Sequence, residues 1–135
     1  KMAGDPSQVD KLLEIAEGYR ELNEPQRALA ALYRLGDSYP PDEEPQQVLY
    51  LQGLAYGAVN RWDEAAESFS AASTRERPTP EILFRLAEAE LHAGRPVQAV
   101  TAAREALAED PQHQPARELL AEAESALRRE GTVLR

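Results

Sequence analysis

The chain has no cysteine, two histidines, one tryptophan and one methionine in 135 residues. Without thiols it forms neither disulfides nor thiolate metal sites, so packing alone holds the core and the redox compartment stays open. Positive charge is also short: 15 Lys and Arg stand against 24 Asp and Glu, a formal net charge of −9. That balance repels phosphate backbones and anionic lipid, making nucleic acid and membrane surfaces poor partners. No apolar run approaches the roughly 18 residues that cross a bilayer, and no basic start with an apolar middle marks a secretory signal. The opening Lys1-Met2-Ala3-Gly4 reads as a scar ahead of an excised or processed chain, so a missing signal carries no information. The expectation is a soluble protein, cytoplasmic or periplasmic if bacterial, with the compartment unassigned.

Site chemistry is equally sparse. The seven glycines are scattered singly, which excludes a phosphate-cradling loop. His92 and His113 fall on different helices, and neither has a second His or a spaced carboxylate pair beside it; both read as ordinary surface or groove residues. The glutamates sit three or four positions from arginines, as Glu17 to Arg20 and Glu81 to Arg85, which describes solvated helix faces better than acid/base pairs. Ser70, Ser73 and Thr74 have no His partner in sequence and read as helix-end residues. No enzyme, metal or cofactor is expected.

Proline is plentiful, and its placement gives the helix count. Proline is tolerated in the first turn of a helix and breaks its interior. Pro6, Pro25, Pro45, Pro80, Pro96 and Pro115 sit where helices would start, with Asp5, Asn23 and Thr79 as capping types; Pro40, Pro41, Pro78 and Pro111 sit where helices would have ended. A further start near Arg61 relies on Asn60 or on the Asp63-Glu64 pair. Seven helices follow, over 6–22, 25–38, 45–58, 61–74, 80–93, 96–109 and 114–130. No alternating apolar pattern competes, so the fold class is all-α.

The helices repeat. Ala16 to Ala28, Gly53 to Ala65 and Ala87 to Ala99 are each twelve residues apart, placing a small residue on each helix of three successive hairpins. Large residues Leu49, Tyr56 and Phe69 flank the middle pair. Gly53-x2-Tyr56 with Ala65-x3-Phe69 resembles the tetratricopeptide repeat, a unit of about 34 residues, although Leu49 stands where the family often has Trp and Gln52 where Leu is usual. The first repeat matches through Leu12, Ile15, Ala16, Tyr19, Ala28, Leu32, Leu35 and Pro40. The third matches through Leu83, Leu86, Ala87, Ala99, Ala103, Ala106 and Pro111, with Glu90 in place of the aromatic; this thinner interior is expected to need the last helix.

The resemblance implies a right-handed superhelical solenoid of antiparallel hairpins in one domain, with repeats at about 9–42, 46–79 and 80–113. A helix at 114–130 follows as a cap, apolar along Ala116, Leu119, Leu120, Ala123 and Leu127 and polar outside. The tail from Gly131 reads as frayed or as a linker. The first link carries three extra residues around Tyr39-Pro40-Pro41-Asp42-Glu43-Glu44, expected to form a longer, acidic, rigid loop.

In such a stack the first helix of each pair lines a concave face. The next face round from the buried stripe holds Tyr50, Leu51, Leu54, Gly57 and Ala58 in the second repeat, with Leu13, Glu14, Glu17, Arg20 and Glu21 equivalent in the first. Phe84, Arg85, Glu88, Leu91 and His92 are equivalent in the third. The expected peptide groove therefore has Leu13, Tyr50, Leu54, Phe84 and Leu91 as its floor, Glu17 and Glu88 among its acids, Arg85 as its one cation, and room beside Gly57 and Ala58. The rival reading packs Tyr50 and Phe84 between repeats. Family members that bind acidic C-terminal peptides use a clamp of Lys and Asn here, and Leu13, Glu17, Leu54 and Glu88 are the wrong types for it. The expected partner is a protein or peptide with an apolar segment, extended or helical, able to carry Lys or Arg. Oligomeric state is open. The resemblance implies a scaffold or assembly factor within a larger protein or complex. A stand-alone chaperone similar to those of type III secretion translocators is the alternative, with an enzyme the least favoured.

Overall fold

The computed structural model describes residues 6–131, with the side chains of residues 6–9 and of Leu12 outside the description. It contains seven α-helices: α1 (Pro6–Glu21), α2 (Pro25–Gly36), α3 (Gln46–Ala58), α4 (Trp62–Arg75), α5 (Pro80–His92), α6 (Pro96–Glu109) and α7 (Gln114–Arg129). No strand occurs among the described residues. Each helix packs on the next, and α7 also reaches back to α5, giving an all-α helical solenoid. The proline reading of the boundaries holds to within two residues.

The caps partly differ from expectation. Thr79 does cap α5, its side chain accepting from the Ile82 amide at 3.2 Å. Asp5 lies outside the described residues. Asn23 and Asn60 are not N-caps: their φ values of 60° and 63° are left-handed, and Glu24 and Arg61 occupy the cap positions without side-chain cap bonds. Both asparagines instead close the first helix of their hairpins, as Gly94 (φ 84°) does in the third. Asn and Gly are the residues that enter this region at least cost. The amide after each one reaches back five residues, Glu24 to the Tyr19 carbonyl at 2.8 Å, Arg61 to Tyr56 at 2.9 Å and Arg95 to Glu90 at 2.8 Å. The same turn thus recurs three times. Asp63 and Glu64 lie in the first turn of α4, where the helix dipole favours them.

The hairpins close on small residues. Ala16, Ala28, Ala65, Ala87 and Ala99 are all buried. Gly53 faces the Phe69 ring rather than the partner backbone: a Cβ there would lie 2.5 Å from Phe69 Cε1. Phe69, 2 % exposed, joins Leu32, Leu35, Val48, Leu51 and Tyr56 in a core shared by the first two hairpins. The third hairpin has smaller residues, and α7 completes each of its clusters: Leu119 with Ala87, Ala102 and Ala103; Ala123 and Leu127 with Ala99 and Val100; Ala116 with Leu83 and Ala106. Arg117, Glu118, Glu122, Arg128 and Arg129 of α7 are exposed. Glu90, at the missing aromatic's position, accepts from Arg95 at 2.6 Å; Arg95 also donates to Asp63 of α4 at 2.7 Å.

The long first link is tied to α4. The Arg75 guanidinium donates to the Glu44 carbonyl at 2.7 Å, to the Asp42 carbonyl, and to the Glu44 carboxylate at 3.2 Å. Asp42 is itself left-handed (φ 64°). Gln46 donates to the Ala72 carbonyl at 3.0 Å, on the same side of α4. Half-buried charge-assisted bonds of this kind are worth more than exposed ion pairs. Replacing Arg75 by alanine is expected to lower unfolding stability by about 1–3 kcal/mol and to speed amide exchange across 39–46. An unchanged urea midpoint would show that the guanidinium is not what holds the link.

Candidate peptide-binding face

Two adjoining depressions lie along the first helices of the hairpins. The first, of about 250 Å³, is lined by Gly53, Leu54, Gly57, Ala58, Trp62, Phe69, Arg85 and Glu88. The second, of about 770 Å³, runs between α5 and α7, lined by Leu91, His92, Leu119, Glu122, Ser125 and Arg129, among others; Glu88 borders both. Of the residues expected from sequence, Leu54, Arg85 and Glu88 line the first depression, and Glu88 and Leu91 the second.

The others sit differently. Leu13 is half-buried against the first core cluster, and Glu17 pairs with Arg20 at 3.2 Å; neither borders these depressions. Tyr50 is half-buried against the Phe69 ring (centroids 5.9 Å), with its hydroxyl 3.4 Å from a Glu81 oxygen. Burial, and then the Glu81 carboxylate, raise its phenol above the ordinary tyrosine value. Phe84 is also half-buried, packed on Ala87 and Leu83 clusters and tilted against the His113 ring at 5.6 Å. Both aromatics thus do much of the packing that the rival reading gave them. Leu51, placed from sequence on the face beside the buried stripe, belongs instead to the core at 2 % exposure. Arg85 is not a free cation, because Glu81 (2.8 Å) and Glu88 (3.1 Å) bracket its guanidinium, which lies 5.3 Å over the Phe84 ring.

Trp62 was not singled out from sequence, and His113 was read only as an ordinary surface or groove residue. Trp62 opens α4 and covers Gly57, where a Cβ would lie 2.9 Å from the indole; the expected space beside that glycine is occupied by the ring. The indole stacks on His92 with centroids 4.2 Å apart and planes 12° from parallel. Its signal was the glycine in the last turn of α3, which admits a large ring where any Cβ would obstruct it. His113 accepts at Nδ1 from the Ala116 amide at 3.2 Å, making it the N-cap of α7 rather than a surface bystander. Histidine is an unusual cap, so residue type gave little warning.

Two tetratricopeptide-repeat family models match the sequence, one over residues 50–114 and one over 12–41. The chain belongs to the tetratricopeptide-repeat family. Solved tetratricopeptide structures share its fold at low identity. The second such domain of human RPAP3, in complex with the HSP70 peptide SGPTIEEVD, is 16% identical with a TM-score of 0.82 over 90% of this chain and 98% of that one. The first such domain of Spaghetti (RPAP3), bound to the HSP90 peptide SRMEEVD, is 17% identical with a TM-score of 0.81 over 93% and 99%. The Sgt2 domain from Aspergillus fumigatus is 17% identical with a TM-score of 0.82 over 97% and 85%. A comparison with curated proteins finds no match.

Within this tetratricopeptide domain no helix of the described residues is long and apolar enough to cross a membrane, and they hold no cluster of three or more metal-ligating side chains. The Trp62 placement makes a local prediction. Gly57→Ala should push the indole off its seat, shifting the emission of this single tryptophan to the red while the melting temperature moves little, because the ring is half-buried and can swing outward. An unchanged emission spectrum would contradict the contact.

Proposed function

We propose that this domain is a non-catalytic protein-interaction module that holds an apolar segment of a partner protein along the inner face of α3, α5 and α7, as a scaffold or assembly factor. The observation that carries the reading is the pair of adjoining depressions, with Leu54 in one and Leu91 in the other still partly exposed although neighbours on the same helices are buried. Concave apolar surface with a few polar groups around it is the usual form of a peptide site.

Charge narrows the partner. Glu88 and Glu122 border the depressions, and Arg85 is already neutralised by Glu81 and Glu88. Arg129 is the cation at the far end. A segment with apolar anchors and Lys or Arg flanks is attracted to this surface, whereas the Glu-Glu-Val-Asp ends of the peptides in the RPAP3 complexes would meet like charge. The family resemblance in fold is therefore kept apart from ligand choice.

The test is a fluorescence-anisotropy titration with a leucine-anchored, lysine-flanked peptide, set beside the acidic peptide SGPTIEEVD. The basic peptide is expected to bind, the acidic one not, and Leu54→Asp together with Leu91→Asp to weaken binding by about tenfold or more with helicity intact. Preference for the acidic peptide, or indifference to both substitutions, would overturn the proposal.

A further inference from the structure

Among the described residues, the first hairpin exposes a face whose counterparts in the later hairpins are covered. The left-handed residues Asn23, Asn60 and Gly94 set the repeat register at intervals of 37 and 34 residues. In that register Ile15, Tyr19 and Leu22 correspond to Gln52, Tyr56 and Val59. The later set is covered by the preceding helix α2: Gln52 donates to the Leu32 carbonyl at 3.5 Å, and the Tyr56 ring meets Tyr33 edge-on with centroids 6.3 Å apart. One repeat further on, Leu86 packs on the preceding core and α4 covers α5. On the first hairpin Ile15 is 41% and Leu22 71% exposed.

Beside them, Arg27, Ala30, Ala31 and Arg34 of α2, at i, i+3, i+4 and i+7, line a groove of about 340 Å³ together with Ile15 and Tyr19. Its cations are distinctive in a chain of net charge −9. Arg27 lies 5.9 Å over the Tyr19 ring and meets Glu24 only at 3.4 Å on a well-exposed surface, and Arg34 makes no ion pair among the described residues.

We propose that an acidic amphipathic helix of a partner protein docks in this groove, taking the place that a preceding repeat's second helix would hold. A helix is indicated because helices α2 and α4 cover the equivalent positions of the later hairpins, and acidity because Arg27 and Arg34 flank the apolar floor. A second copy of the chain is a poorer occupant. The exposed charged residues of the last helix are Arg117, Glu118, Glu122, Arg128 and Arg129, while its apolar residues Leu119, Ala123 and Leu127 are already buried. The site is separate from the inner face of α3, α5 and α7, and stands or falls without it.

The probe is a stapled peptide of about 15 residues, stapled because a free helix of that length is marginal in water. It carries leucines at i, i+3, i+4 and i+7 between glutamates, and its control has lysines in their place. In titrations of the full chain, the glutamate peptide is expected to bind saturably and to shift the NMR signals of Ile15, Leu22 and Arg34. The peptide for the inner face should not displace it. Ile15→Glu with Leu22→Glu, both on exposed positions, should abolish binding, and Arg34→Glu should weaken it by about tenfold. No binding, equal binding of the lysine peptide, or shifts confined to α3 and α5 would overturn the proposal. So would a dimer in sedimentation velocity that the Ile15 and Leu22 substitutions break.

Discussion

The contact between the Phe69 ring and the bare backbone at Gly53 is the constraint on which the rest of the stack depends. An aromatic ring fully buried between α3 and α4 fills the hairpin where two helices would otherwise leave a void, and burying such a side chain is worth about 1.5–3 kcal/mol. It sits there only because residue 53 has no side chain. With the ring in place, Leu32 and Leu35 of the first hairpin and Val48 of α3 join it in one core cluster, and the Tyr50 ring leans on it. The helix that carries this contact therefore also carries part of the surface proposed for a partner.

Much of this was legible in the chain. Prolines break helix interiors, so their positions marked six of the seven helix starts, and the twelve-residue spacing of small residues pointed to repeated close helix pairs. Capping was misread at Asn23 and Asn60 because a polar residue between two helices suits either end, and only the backbone decides; here the left-handed turn that finishes the first helix took precedence over the start of the second. The reach of Arg75 back to Asp42 and Glu44 was not legible, because an arginine on a helix face carries no mark of a partner more than thirty residues away.

The inner face was harder than the fold for a physical reason. A register argument says which side of a helix a residue is on, but not how far its side chain is already used. Tyr50 and Phe84, expected as groove floor, spend much of their surface on neighbouring helices, and the Trp62 ring packs over Gly57. Leu54 and Leu91, shorter and unbranched by polar tips, keep part of their surface outward. The arginine expected as a free charge is held between two glutamates, so the electrostatic character of the face comes from its carboxylates.

The central claim is that residue 53 is glycine for the sake of the ring at 69, and a double-mutant cycle measures this directly. Gly53→Ala is combined with Phe69→Leu, and unfolding free energies are read from urea titrations of all four proteins. In the wild-type background the alanine should destabilise by about 1–3 kcal/mol, the usual overpacking cost, although alanine in a helix is otherwise favoured over glycine by about 1 kcal/mol. In the Phe69→Leu background, where the ring is gone, the same substitution should be neutral or stabilising. A Gly53→Ala protein more stable than wild type, or an equal cost in both backgrounds, would contradict the account.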